Sequence, residues 1–338
     1  MSKKPQSQAL DYTILGQLTQ LFGPSGSEGD VSDFISTQLR PYSDEIKIDT
    51  MGNLIVQRQG TGKRLMVAAH MDQIGVMITN LDKEGFLRFS PLGGVPITAI
   101  NQQRVKFRNG RIGTIGVEKL ERFSDLRLEK LFIDIGASSR EEASEFVQIG
   151  DTAIFVGDFV ESGSRVIAKA FDDRLGCFVA IEALKRVKTK HELAFVFTVQ
   201  EELGTRGAQT ATYALDPDIA IAVDVTTTGD TPKAHQMAVE LGKGVAIKVF
   251  DRSMVTSPQV KRWMSDVATE MKIPFQWEVL EFGGTDSGAI HLTKGGIPSG
   301  VISIPTRYVH SPAEMADKND VEAAVNLLVA LLESSAEL

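Results

Sequence analysis

The chain has 338 residues, 42% of them hydrophobic, a net charge of −8 and one cysteine, Cys177. This length suggests about two domains with substantial cores, and the scattered acidic excess argues against a nucleic-acid partner, which needs a basic face. The lone cysteine excludes an internal disulfide and fits a reducing compartment; no apolar segment follows Lys3-Lys4 as in a secretory signal, and no run approaches the roughly 20 apolar residues of a membrane span, so a soluble cytoplasmic protein with no membrane partner is expected.

In chain order, Leu10, Ile14, Leu18, Leu21 and Phe22 recur near helical spacing over residues 9–22. Gly23-Pro24-Ser25-Gly26-Ser27 breaks that helix, and a second is expected from about Gly29 to Leu39. Residues 46–58 and 64–69 read as strands joined by Gly60-Thr61-Gly62. From about residue 74 to 163 the chain turns to short β runs: Val76 to Thr79, Phe86 to Phe89, Arg104 to Phe107 and Thr152 to Val156. Asn109-Gly110 is a hairpin signal, and the spacing suggests a small barrel or sandwich with a short helix at Glu141 to Phe146. Helix–strand alternation then returns. Helices are expected at 175–187, 206–214, 257–272 and 321–333, and strands at 193–199, 219–224, 245–249 and 299–304. The expected organisation is a discontinuous α/β domain, 1–73 with 164–338, split by a β-rich insertion, 74–163.

Five segments end in residues that bind divalent metals, and most follow an apolar run that reads as a buried strand. In an open α/β sheet the chemistry lies beyond the carboxyl ends of the strands, so these residues should meet on one rim. His70 and Asp72 share a strand face; His70 can ligate while Asp72 orients its imidazole, although alone the pair also fits a surface turn. Asp172 reads as a carboxylate shared by two ions about 3.5–4 Å apart, whereas Asp173 fits a helix cap as well. Glu201-Glu202 follows the run Leu193 to Val199. Adjacent acids there are costly unless something compensates; a metal does, leaving one glutamate to ligate and its neighbour to take a proton from water. Asp224 ends the run Ile219 to Val223, and the Thr226-Thr227-Thr228-Gly229 that follows is a poor helix start. His310, in the turn before Ser311-Pro312, offers a second nitrogen ligand; His191, His235 and His291 have weaker settings. Gly283 to Gly288 opens a helix in which Gly284 permits close approach of backbone to a ligand. Asp286 either meets a substrate amine or caps that helix. No Lys-Ser/Thr follows, so a phosphate loop is excluded.

The constellation resembles the M42 metallo-aminopeptidases, which include glutamyl, leucyl and deblocking aminopeptidases. The similarity spans nearly the whole chain, through Ser25-Gly26-Ser27-Glu28, Met51-Gly52-Asn53-Leu54, Ala69-His70-Met71-Asp72, Phe171-Asp172-Asp173-Arg174, Val199-Gln200-Glu201-Glu202-Leu203-Gly204, Gly284-Thr285-Asp286 and Arg307-Tyr308-Val309-His310-Ser311. The resemblance implies a zinc-exopeptidase-like three-layer α/β sheet with an inserted small β-barrel, PDZ-like dimerisation domain. It implies that His70 and Asp224 bind one ion and Glu202 and His310 the other, with Asp172 bridging, Glu201 as general base and Asp72 supporting His70. Two divalent ions, zinc or cobalt, are then expected per chain. The expected partners are short peptides with a free N-terminus and further copies of the chain, with dimers assembling into a dodecamer. Gln73 departs from the family, which commonly places a glutamate there. Another dinuclear amidohydrolase, such as a carboxypeptidase or deacylase, would share the ligands. A non-catalytic assembly protein is disfavoured by Glu201 and the full ligand set. An endoglucanase would need two carboxylates flanking a sugar without metal, and a site with two histidines gives no reason to expect one.

Overall fold

The computed structural model describes residues 9–338; most of the N-terminal stretch read for a signal segment lies outside them. Helices α1 (Tyr12–Gln20) and α2 (Gly29–Leu39) lead into β1 (Glu45–Ile48), β2 (Leu54–Arg58) and β3 (Arg64–His70). Residues 46–58, expected as one strand, fold back instead. Gly52 adopts φ +102, and the Asp49 carboxylate accepts the N–H groups of Met51, Gly52 and Asn53. Such side-chain bonding of successive backbone donors favours a turn over a continued strand.

Six strands follow: β4 (Gly75–Leu81), β5 (Leu87–Leu92), β6 (Arg104–Phe107), β7 (Ile112–Val117), β8 (Leu131–Asp134) and β9 (Thr152–Phe155), with short helices α3 (Ile97–Ile100) and α4 (Arg140–Ser144). They close into a barrel in the order β4-β5-β8-β7-β6-β9. The Asn109-Gly110 turn joins the antiparallel pair β6 and β7, and the interior is filled by residues such as Val76, Ile78, Phe89, Phe107, Ile115 and Ile133. Arg108, at that turn, reaches out of the barrel to Asp30 and the Ser27 carbonyl.

The chain then supplies β10 (Val160–Ser162), β11 (Arg165–Ala168), α5 (Phe171–Arg186), β12 (Glu192–Thr198), α6 (Arg206–Leu215), β13 (Ile219–Thr226), β14 (Val245–Phe250), α7 (Pro258–Glu270), β15 (Phe275–Val279), α8 (Asp286–Ile290), β16 (Ser299–Arg307), β17 (Glu314–Asp317) and α9 (Lys318–Glu333). These join β1–β3 in an 11-stranded sheet ordered β1-β2-β12-β3-β13-β16-β17-β11-β10, with β14 beside β16 and β15 beyond β14. Strand β10, which falls inside the expected insertion, pairs with β11 in this sheet, so the barrel strands end at Phe155. The four central strands, β12, β3, β13 and β16, are parallel.

Alternation along β3 shows why the fold has three layers. Leu65, Val67 and Ala69 join the large core with α1, α2, α5 and α9. Met66 and Ala68 face the opposite way, packing with Ala208 and Ala211 of α6 and Ile290 of α8. Successive side chains leave a strand on opposite faces, and a strand apolar on both faces must be covered on both. Among the described residues, no helix is long and apolar enough to cross a membrane.

Candidate active site

The central strands deliver their polar ends to one rim. His70 terminates β3, Glu201 and Glu202 follow β12, Asp224 lies near the end of β13, and His310 follows β16. Asp172 enters from the start of α5, where Asp172 and Asp173 depart from helical angles across a cis peptide.

Asp172 is the hub. Its Oδ1 lies 2.9 Å from His70 Nε2, and its Oδ2 lies 3.0 Å from His310 Nε2. Around His70, Glu201 Oε2 and Asp224 Oδ1 each stand 3.9 Å from the same Nε2. Around His310, Glu202 Oε1 stands 3.3 Å from Nε2. Two ligand-rich pockets thus share one carboxylate. Asp173 also lies within reach of His70 and Asp224, but its oxygens accept the His70 and Gly176 N–H groups. It anchors the end of β3 and the turn at the kink of α5.

Both imidazoles are fixed from behind. His70 Nδ1 is 3.1 Å from the Asp72 main-chain oxygen, and His310 Nδ1 is 2.8 Å from the Gly94 carbonyl of the barrel. A carbonyl only accepts, so Nδ1 carries the proton in each ring and Nε2 turns inward. The Asp72 carboxylate, fully buried, is farther from His70 Nδ1, at 3.4 Å. It accepts bonds from Ser25 Oγ (2.6 Å), Glu201 N–H (2.9 Å) and Glu202 N–H (3.2 Å). The Glu28 carboxylate receives the N–H of Gln200, the preceding residue.

The electrostatics match this crowding. Burial alone would raise the Asp172 carboxyl, but its bonds to His310 and His70 bring it below the ordinary range. Burial pushes Glu201 well up, reinforced by Asp224 and Asp286 against the opposing charge of His70. Burial likewise raises Asp224, with the Asp172 charge adding to it. Burial works against the charged form of His310, yet the Asp172 and Glu202 carboxylates beside it drive it up to about 12.

The sequence profile of the M42 glutamyl aminopeptidases matches residues 52–327. The chain belongs to the M42 aminopeptidase family. It is 54% identical over 320 residues to a protein of Acetivibrio thermocellus provisionally assigned as an aminopeptidase, covering 94% of this chain and 97% of that one. Its structure is similar to that of an aminopeptidase from the archaeon Desulfurococcus kamchatkensis, with a TM-score of 0.92 and 38% identity over 95% and 94% of the two chains. It is also similar to the TET1 peptidase of Pyrococcus horikoshii, with a TM-score of 0.86 and 34% identity over 95% and 99% of the chains; that peptidase can assemble into a tetrahedron or a large octahedral shell. This M42 protein is accordingly a peptide-bond hydrolase with candidate metal-ligand groups in its site.

The donor set fits divalent ions. Glu202 Oε1 is buried without a well-formed hydrogen bond, and both Nε2 atoms face carboxylates while their Nδ1 atoms are held by main-chain oxygens, the outer-shell pattern of metal-binding histidines. Asp286 does not cap α8, whose N-cap is Thr285. It is buried, accepts a bond from Thr198 Oγ1 and keeps Oδ1 unpartnered; burial lifts it to about 6. Gly284 lies against Ser253, 3.1 Å from where a Cβ would stand.

Two contributors escaped the sequence reading. Glu314 of β17 accepts N–H bonds from Phe171, Asp172 and His310, tying the hub to the His310 loop. Its position four residues beyond His310 is the only local signal. Gly94 acts through its carbonyl, which no side chain advertises.

Proposed function

We propose that this enzyme is a dinuclear metal-dependent aminopeptidase that trims short peptides from a free N-terminus. The observation that carries the proposal is Asp172, whose two oxygens each meet the inward nitrogen of a different histidine. In this reading His70 and Asp224 hold one ion, Glu202 and His310 the other, and Asp172 serves both; zinc or cobalt suits the mixed nitrogen and oxygen donors. When bound, the pair supplies Lewis acidity toward the scissile carbonyl and acidifies water.

The protein groups do the rest. Glu201, with its pKa raised by burial, takes a proton from the attacking water and returns it to the leaving amine. Asp72 fixes the backbone from which Glu201 and Glu202 project. The unpartnered Asp286 oxygen is offered to the substrate ammonium, and Gly284 keeps the neighbouring backbone open to the peptide. The insertion serves association: further copies of the chain form dimers and a larger shell, which light scattering of the native enzyme would show as an assembly far above one chain's 36.8 kDa.

A panel of aminoacyl chromogenic substrates, assayed with Zn²⁺ and Co²⁺ in turn, tests the activity. Free-amine substrates should turn over and their N-acetylated forms should not. Preferred cleavage of the acetylated forms would favour a deacylase instead.

A further inference from the structure

The barrel carries no cluster of catalytic side chains, yet it touches the site at its most crowded point. Directly after β5, Gly93 and Gly94 run past the Glu202 carboxylate and the His310 ring. A Cβ at Gly93, where φ is +82, would stand 2.5 Å from Glu202 Oε2 and 2.9 Å from Ile74 Cγ2. A Cβ at Gly94 would stand 3.0 Å from His310 Nδ1 and 3.1 Å from its Cε1. The same turn supplies the Gly94 carbonyl, 2.8 Å from His310 Nδ1.

We propose that the Gly93–Gly94 turn of the barrel is a positioning element for the metal seat, setting the tautomer and direction of His310 and the rotamer of Glu202. This rests on the assignment of those two residues as ligands. The physical reason is that a ring fixed by one main-chain acceptor has one remaining orientation for Nε2, here toward Asp172 and Glu202. A side chain at either glycine would enter the space that the ring and carboxylate occupy. The contact comes from the barrel and not from the sheet: His310 lies on the loop after β16, and its Nδ1 meets the Gly94 carbonyl. The barrel is therefore one wall of the catalytic centre as well as an appendage of it.

Gly93→Ala and Gly94→Ala test this, with Gly150→Ala as control. Gly150 is a barrel glycine with a similar φ, +93, and open space around it, so it matches the backbone strain at Gly93 without reaching the site. Zn²⁺ affinity and stoichiometry, measured by chelator competition, are the primary readouts. Both site variants should bind Zn²⁺ roughly 10–100-fold more weakly than the control, the range for loss of an outer-shell partner. Their kcat should recover as Zn²⁺ is raised. Affinities within twofold of the control overturn the proposal. A wild-type enzyme that binds no Zn²⁺ overturns the ligand assignment itself, which is a different result. If Gly94→Ala is unfolded without metal, refolding at Zn²⁺ concentrations that saturate the control also overturns the proposal. Failure to refold there but refolding at about 100-fold higher Zn²⁺ supports it, and failure at every Zn²⁺ concentration overturns it in favour of a purely structural role.

Discussion

Replacing Asp72 by asparagine separates two roles: the support of His70 expected from the sequence, and the anchoring of the Glu201–Glu202 backbone found in the structure. The buried carboxylate receives one hydroxyl and two main-chain N–H groups. An asparagine has one oxygen where aspartate has two. With its nitrogen at the Oδ2 position, the amide can donate to Ser25 after the hydroxyl rotates, but the Glu202 N–H then faces a donor. With its nitrogen at Oδ1, the Glu201 N–H is stranded instead. Either way one buried N–H loses its acceptor, at about 1–3 kcal/mol. The His70 ring keeps its tautomer, because its Nδ1 faces the main-chain oxygen of residue 72. The penalty therefore falls on the Glu201–Glu202 turn. At 1.36 kcal/mol per tenfold it corresponds to about 5–150-fold, expressed as weaker binding of the ion on the Glu202 side. Zn²⁺ titration against a chelator should resolve one weakened site and one nearly unchanged. Equal weakening of both sites, or affinity within twofold of wild type, would refute this division of labour.

Glu201→Gln should retain its metal while turnover falls about 10²–10⁴-fold, the usual effect of losing a general base; near-normal kcat in metal-replete enzyme would remove Glu201 from that role. Asp172→Asn should lower bound metal below the wild-type stoichiometry, since both histidines turn to this carboxylate; retained stoichiometry by elemental analysis would contradict a shared ligand. Metal binding near pH 7 should release protons. In the metal-free protein, burial disfavours the charged imidazoles, but carboxylate bonds hold His310 up to about 12 and His70 well above its ordinary range. These raised values stabilise the metal-free fold below the unfolded histidine pKa near 6.5, and that contribution is lost as pH rises through the folded values. Because a ligand histidine must be neutral, affinity should climb with pH. Calorimetry in buffers of different ionisation enthalpy measures the release, and a proton count of zero at pH 7 would refute it. Gln73→Glu should change the pH dependence of stability, because it sets a carboxylate beside Lys169 while removing the bond that the Gln73 amide donates to the Leu21 carbonyl. Lys169 is buried and donates to the Gln73 amide oxygen at 2.9 Å; burial, and then the Arg174 charge, hold its pKa well below 10.5. Between its folded and unfolded values the unfolded chain holds that proton more fully than the folded one, so wild-type stability rises with pH toward the unfolded value near 10.5. The new carboxylate should flatten that rise, and an unchanged pH slope would show that the two groups do not pair.

The α/β sheet, its interruption by a β-rich segment, and the residues that reach the rim can be read from the amino-acid order. Central parallel strands are buried on both faces, so they read as continuous apolar runs, and an acid or histidine at the end of such a run stands out. His70, Glu201, Glu202, Asp224 and His310 were legible for that reason. What those residues lean on depends on long-range packing. Asp72 holds the backbone of Glu201 and Glu202 as well as standing beside the His70 ring, whose Nδ1 lies 3.1 Å from the main-chain oxygen of residue 72 and 3.4 Å from its carboxylate. Glu314 becomes a site residue only because β17 pairs with both β16 and β11. Gly94 enters through a carbonyl 216 positions from His310. Backbone donors and acceptors are the same at every residue, and which of them meet is set by how distant strands pair.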